Sequence, residues 1–190
     1  MDQALITNAI DGFGQRLGAV DAGHWSAATP CEDWNVRTLV NHVVGELLWM
    51  PPLLEGKTVA DVGDRLDGDI LGADPHATWT SAVADARAAA SEPGAQDRTV
   101  HLSFGDFPGG EYLGQVTSDM VIHSWDLARA VGASDRLDPA LIGFVDDFLS
   151  PQIDAWRGAG AFGPAVDVGP DADTQTKLLA QTGRSPDWTP

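Results

Sequence analysis

The chain has 190 residues, 43% of them hydrophobic, which is enough for one domain with a hydrophobic core. Its 28 acidic residues against 11 Lys and Arg give a formal net charge of -17, and such a field repels phosphate backbones and anionic lipids. Nucleic acid and membrane surfaces are therefore disfavoured as partners. The single cysteine, Cys31, rules out an intramolecular disulfide and suits a reducing cytoplasm. No apolar run approaches the roughly 20 residues that a membrane span needs, so we expect a cytoplasmic protein.

The first half of the chain predicts two long helices. Hydrophobic periodicity predicts a helix over residues 3–20. Asn35 is a suitable N-cap for a second helix over residues 36–50, which Pro51 and Pro52 are expected to end. Residues 55–74 are rich in Gly and Asp and predict a loop with at most a short helical turn.

The second half predicts further helices and a little β structure. In chain order we expect a helix over 75–91, a strand over 99–104, a glycine-broken turn over 107–112, and helices over 113–131, 139–149 and 176–181. The simplest architecture is a mainly α, up-down helical bundle with a short β insertion. We expect residues 1–150 to form the bundle and residues 151–190 to form a C-terminal extension packed on the same domain.

The fourth long helix carries the most informative pattern. Asp119 and His123 stand at i and i+4 and so point the same way, and Asp126 extends the line within roughly 20–40°. Apolar side chains flank this line, including Ile122 and Trp125, which indicates that the polar groups face inward. Carboxylates are rarely buried without a partner, and a metal ion is one suitable partner.

A third ligand-type residue lies on the second helix. His42 is roughly 140° around that helix from the centre of its apolar stripe, with Glu46 on the same face. If the second and fourth helices are neighbours, His42, Asp119 and His123 can converge on one ion. Two imidazoles and one carboxylate leave a coordination position open, as catalytic zinc and iron sites require. Taken singly, each residue also fits an ordinary polar side chain or helical ion pair.

Three segments resemble one known family. Residues 30–46 (PCEDWNVRTLVNHVVGE) and 119–130 (DMVIHSWDLARA) resemble the two motifs of mycothiol-dependent maleylpyruvate isomerase-like metal-binding proteins. Residues 173–188 resemble the tail of an actinobacterial branch of the same family. The resemblance implies a DinB/YfiT-like, up-down-down-up four-helix bundle. It also implies that His42, Asp119 and His123 are the metal ligands.

The resemblance further implies a divalent-metal enzyme that activates a small thiol, mycothiol, for addition, transfer or isomerisation on a small electrophilic substrate. Zinc is the first expectation for the metal, with nickel or iron open, since His and carboxylate ligands do not distinguish them. The characterised isomerase has Glu at the acidic position and a further C-terminal domain. Asp119 and the short tail differ from it, and both differences argue against maleylpyruvate isomerisation itself.

Supporting roles and alternatives remain open. Asp126 or Glu46 could orient a ligand histidine, and Arg129 or Arg87 could bind a substrate carboxylate, although a solvated surface is the commoner place for arginine. Cys31 could be a nucleophile, but Glu32 and Asp33 beside it disfavour a thiolate, so burial as a small hydrophobe is favoured. A cavity could be walled by tryptophans, namely Trp49, Trp79 and Trp125.

Two other classes of function use the same three ligands. One is a non-catalytic protein that binds a metal or small molecule, such as a resistance factor. The other is a bundle with a structural metal, which usually has four protein ligands rather than three. A homodimer is left open by the sequence.

Overall fold

The computed structural model describes residues 1–190 and is mainly helical. A two-stranded antiparallel sheet is its only sheet. In chain order the elements are α1 (Gln3–Leu17), α2 (Val36–Leu54), α3 (Val59–Val62), α4 (Pro75–Ser91), β1 (Thr99–Leu102), β2 (Gly105–Pro108), α5 (Gly109–Val131), α6 (Pro139–Leu149), α7 (Ile153–Gly158) and α8 (Thr174–Gln181). None of the helices combines the length and apolar character needed to span a bilayer.

Helices α1 and α5 run in the same direction. Met1 before α1 contacts Thr117 in α5. At the other end of α1, Arg16 donates a hydrogen bond to the carbonyl of Arg136, just beyond α5. The start of α1 thus lies near the first half of α5, and its end lies near the residues after α5, so the two helices are parallel. Most residues of α5 are buried, which places this helix along the centre of the bundle.

Helices α2 and α4 are also parallel to each other. Arg37, near the start of α2, binds the carbonyl of Gly72 just before α4. Arg98, after α4, binds the carbonyl of Leu54 at the end of α2. Because the last turn of α2 and the first turns of α5 line one cavity, these two helices are antiparallel. The four long helices thus form the up-down-down-up bundle that the resemblance implied.

Two helix ends differ from the sequence prediction. Helix α1 ends at Leu17, because Gly18 already occupies its C-cap. Helix α2 does not end at Pro51 and Pro52 but continues to Leu54. The prolines lack N–H donors, yet their carbonyls accept hydrogen bonds from the backbone of residues 55 and 57. Burial of Leu53 and Leu54 favours this additional turn.

The predicted strand and turn before α5 were partly wrong. The first strand ends at residue 102, residues 105–108 form its antiparallel partner, and α5 begins at Gly109 rather than at residue 113. Gly109 donates to the carbonyl of Arg98 at 2.7 Å, and a Cβ there would lie 2.0 Å from the carbonyl oxygen of Ala95. The glycines that indicated a turn instead permit this close approach at the start of a helix.

The C-terminal segment contains one helix that the sequence analysis missed, α7, and α8 begins two residues earlier than predicted. Leu178 and Leu179 of α8 are buried. The following backbone turns back toward the bundle, and this turn carries Arg184 into contact with the side chain of Asp126.

Candidate metal centre and adjacent cavity

The structure brings the three predicted ligands together. Nε2 of His42 lies 3.0 Å from Oδ2 of Asp119, and Nε2 of His123 lies 3.3 Å from Oδ1 of the same carboxylate. One donor atom from each residue lies within 4.8 Å of the other two. Helix α2 supplies the first imidazole, and one face of α5 supplies the acid and the second imidazole. This donor set fits a divalent ion with coordination positions left for other ligands.

The three side chains shift one another's pKa. Burial disfavours the imidazolium form of His42, but the Asp119 carboxylate outweighs burial and raises the pKa of His42 above its ordinary value. Burial likewise opposes protonation of His123, and Asp119 raises its pKa well above the ordinary value. Although burial disfavours the carboxylate, the two imidazoles hold the pKa of Asp119 well below its usual range. Without a metal ion, the group therefore favours protonated imidazoles around an ionised carboxylate.

A buried carboxylate supports the second imidazole from behind. Nδ1 of His123 lies 2.9 Å from Oδ2 of Asp126, whose side chain is fully buried. Burial opposes ionisation, but Arg184 and His123 lower the pKa of Asp126 to about 2. An ionised carboxylate can only accept, so Nδ1 carries a hydrogen, and Nε2, which faces Asp119, is the nitrogen that can bind a metal ion once its own proton is released. A carboxylate in this position orients metal-binding histidines in other proteins.

Arg184 completes this support. Its guanidinium donates to both oxygens of Asp126, at 2.9 and 3.3 Å, and its side chain is 11% exposed. No local pattern in the sequence connects Arg184 to a carboxylate 58 residues away, so its contact with Asp126 could not be predicted.

A second group of donor atoms is formed by Cys31, His123 and Asp126. Sγ of Cys31 lies 3.2 Å from Asp126 and 3.7 Å from Nδ1 of His123. However, Arg184 lies 3.5 Å from the same sulfur and already supplies a cation to this group. A metal ion here would compete with the fixed guanidinium. The group with His42 contains no such cation and is the better candidate.

Trp34 covers the candidate centre. Its ring lies 5.0 Å from the imidazole of His42 and 5.6 Å from that of His123, measured between centroids, and it is stacked on the latter. The indole therefore shields the imidazoles from one side. Its position in the turn before α2 gave no sign of this role.

A cavity of about 390 Å³ adjoins the centre at Asp119. Eleven of its sixteen lining residues are hydrophobic, and its aromatic walls include Trp49 and Phe104. Glu46 also lines it and makes no hydrogen bond to either histidine, so Glu46 belongs to the cavity rather than to the support of the ligands. Burial and the nearby Asp119 charge raise the pKa of Glu46 to about 7.

The remaining candidates lie elsewhere. Arg129 pairs with Asp135 and lies over the ring of Trp125, and Arg87 pairs with the exposed Asp11. None of these residues lines the cavity, and neither does Trp79. Among the predicted wall tryptophans only Trp49 reaches it.

A family model and two relatives each match most of the chain. The family model described as mycothiol maleylpyruvate isomerase N-terminal domain matches residues 6–128 of the chain. Two uncharacterized proteins of Mycobacterium tuberculosis, from strains CDC 1551 / Oshkosh and ATCC 25618 / H37Rv, are each 34% identical over 188 residues, covering 93% of this chain and 95% of theirs. The chain therefore belongs to the mycothiol maleylpyruvate isomerase N-terminal domain family.

Solved structures show the same fold. The crystal structure of a mycothiol-dependent maleylpyruvate isomerase superposes with a TM-score of 0.64 at 20% identity, covering 83% of this chain and 70% of that one. A histidine-to-alanine mutant of that enzyme gives 0.65 at 19% identity with the same coverage. At this level of identity the likeness concerns the fold alone.

Proposed function

We propose that this protein is a divalent-metal enzyme that activates a small thiol, mycothiol, for addition, transfer or isomerisation on a small electrophile. The observation that carries the proposal is the convergence of His42, Asp119 and His123 beside an apolar cavity that Asp119 lines. Family membership supports the thiol, since the family takes its name from a mycothiol enzyme. Zinc is the proposed metal, with nickel and iron as the competing choices.

The chain's own residues would prepare the centre in three ways. His42, Asp119 and His123 would hold the ion. Asp126 would fix the tautomer of His123 through Nδ1, and Trp34 would keep water from one side. When bound, a divalent ion would lower the pKa of a thiol at its open position, so that this thiol is nucleophilic at neutral pH.

The reaction class then follows from the chemistry of thiolates. The sulfur forms a bond to an electrophilic carbon, and its proton is released to solvent. In an addition, the displaced π electrons are protonated at the neighbouring carbon. In a transfer, a leaving group departs with the electron pair. An isomerisation would require the sulfur to add and later to leave.

The test is a mass-spectrometric screen of zinc-loaded protein against a panel of electrophiles, with mycothiol, glutathione or no thiol. We expect adducts or isomerised products that depend on mycothiol and that are lost in His42→Ala. Products formed equally well without any thiol would contradict the thiol role.

A protein that only binds metal or small molecules would give a different result. It would deplete each ligand in a saturable, stoichiometric amount and form no thiol-dependent product. Cys31→Ser is a useful control, because Cys31 contacts Asp126 and Arg184 and does not line the cavity. Loss of turnover with full metal occupancy in this variant would assign the nucleophile to Cys31 instead.

A further inference from the structure

The walls of the cavity beside Asp119 favour apolar ligands. Trp49, Phe104, Trp156 and Phe162 are among its lining residues. Its volume of about 390 Å³ lies within the range of small-molecule sites and well above the roughly 150 Å³ that holds one benzene. The space suits a ligand of about two fused rings.

The charges of the cavity disfavour anions. Its lining includes two carboxylates, Glu46 and Asp119, and no Lys, Arg or His. No side chain of the wall is a cation that can pair with a ligand carboxylate, and the proposed thiol takes the open position of the metal. The protein as a whole also carries a net charge of -17. An anion entering the cavity would lose hydration without gaining a cationic partner.

The same carboxylates do not make a strong cation site. Both oxygens of Asp119 already face imidazole nitrogens, of His42 and His123. Glu46 alone remains, among predominantly hydrophobic neighbours. A neutral ligand matches this lining better than an ion of either sign.

Two polar groups in the wall lack a partner, Nε1 of Trp156 and the hydroxyl of Tyr112. The hydroxyl of Tyr112 is buried and makes no hydrogen bond. The residue is 3% exposed and lines the cavity. Buried hydroxyls are nearly always paired, so an unpaired one beside a cavity indicates a hydrogen bond that a ligand completes. A neutral carbonyl oxygen would accept from it.

We propose that the electrophile accepted by this cavity is an uncharged, largely apolar or aromatic carbonyl compound, and that Tyr112 donates a hydrogen bond to its carbonyl oxygen. The proposal rests on the proposed function, since it names the substrate class of the same site. Dicarboxylates of the maleylpyruvate kind are excluded by it. Glu46 is the specificity residue that disfavours them.

Calorimetric titration with two unreactive probes tests this without any turnover. 2-Acetylnaphthalene and 2-naphthoate have the same ring and nearly the same size, but only the second is an anion. In zinc-loaded protein saturated with mycothiol, which fills the open metal position, the ketone should bind with a Kd about tenfold or more below that of naphthoate. The zinc-free protein should show the same preference.

Variants separate the contributions of Tyr112, Glu46 and the apolar wall to ligand binding. Tyr112→Phe should weaken ketone binding about two- to tenfold. Glu46→Gln should reduce the discrimination against naphthoate. The matched control is Glu111→Gln, which removes the same charge from a residue outside the cavity and should leave the discrimination unchanged. Phe162→Ala, which shortens an apolar wall, should weaken both probes alike.

Equal or tighter binding of naphthoate, either by the zinc-free protein or by the zinc-loaded protein saturated with mycothiol, would overturn the proposal. Ketone binding that Tyr112→Phe and Phe162→Ala do not alter would also overturn it. The proposed function fails separately. If the ketone binds as expected but no electrophile gives a thiol-dependent product, the ligand class stands and the catalytic role does not. If mycothiol-dependent turnover is found only with anionic electrophiles, the reverse holds.

Discussion

Replacing Arg184 with Gln tests whether the C-terminal segment supports the candidate metal centre. The guanidinium is 11% exposed and bonds both oxygens of Asp126, which is fully buried. Removing one partner of a buried ion pair typically costs 3–5 kcal/mol, because the other charge stays unpaired. Here His123 and Cys31 still contact Asp126, so we expect a loss of about 2–4 kcal/mol.

The pKa of Asp126 gives a loss of similar size. The native value of about 2 lies below the ordinary value near 3.9, a difference of about two units, or about 2.6 kcal/mol of stability at neutral pH. Because the native pKa is depressed, this stability is complete above pH 4 and is lost as the pH falls through about 2. In Arg184→Gln the native pKa should rise, so that acid unfolding begins at a higher pH.

Thermal unfolding followed by circular dichroism measures the effect. For a domain of this size, 1 kcal/mol corresponds to about 2–4 °C, so a loss of about 3 kcal/mol predicts a Tm about 6–12 °C lower. Competition with a chromophoric chelator should show zinc affinity reduced about 10–100-fold, as for other partners of ligand histidines. The matched control is Arg129→Gln. Arg129 also joins α5 to the tail, through the carbonyl of Trp188, and pairs with Asp135 just after α5, but it is more exposed than Arg184.

The reasoning is refuted if the two arginine variants lower the Tm equally and neither changes zinc affinity. In that event Arg184 would be an ordinary tail contact. A decrease in Tm without any change in zinc affinity would keep the buried pair as a stabilising contact but remove its role in orienting His123.

Further predictions concern the ligands and the fold. His42→Ala and His123→Ala should each weaken zinc binding more than about 100-fold while the circular dichroism spectrum stays helical; full zinc occupancy by elemental analysis would contradict the assignment. Because the pKa of both imidazoles is raised by Asp119 and zinc requires the neutral form, zinc affinity should fall with decreasing pH from above pH 6.5, with release of up to about two protons per ion. A pH-independent affinity between 6 and 9 would argue against these ligands. Gly109→Ala should destabilise the fold by about 1–3 kcal/mol in urea unfolding, since its Cβ would lie 2.0 Å from a backbone oxygen; unchanged stability would show that the start of α5 can shift.

The parts of the site that could be predicted from sequence are local to single helices. The i,i+4 spacing of Asp119 and His123 fixes their common direction whatever surrounds them. The position of His42 away from the apolar stripe of its helix indicated either a second interface or solvent, and it did not indicate which helix would form that interface. That neighbour follows from the up-down-down-up order of the bundle, which only the resemblance implied.

The parts that could not be predicted depend on contacts between distant segments. Arg184 reaches Asp126 from the tail, and Trp34 covers the imidazoles from a turn. Neither position carries a periodic or spacing signal. Similarly, the glycines before α5 have the composition of a turn, and only the close approach of Gly109 to the preceding backbone shows that they begin a helix.

Two acidic side chains near the centre differ in charge because their neighbours differ. Asp126 is fully buried, but Arg184 and His123 hold it ionised, with a pKa of about 2. Glu46 has no arginine beside it and faces apolar walls, so burial and the charge of Asp119 raise its pKa to about 7. Since opposite pKa shifts separate the roles of two carboxyl groups, Asp126 acts as a fixed anion behind His123, whereas Glu46 is the acid that a ligand in the cavity meets. The charge of Glu46 should therefore affect which ligand binds, and the charge of Asp126 should affect how firmly the histidine is held.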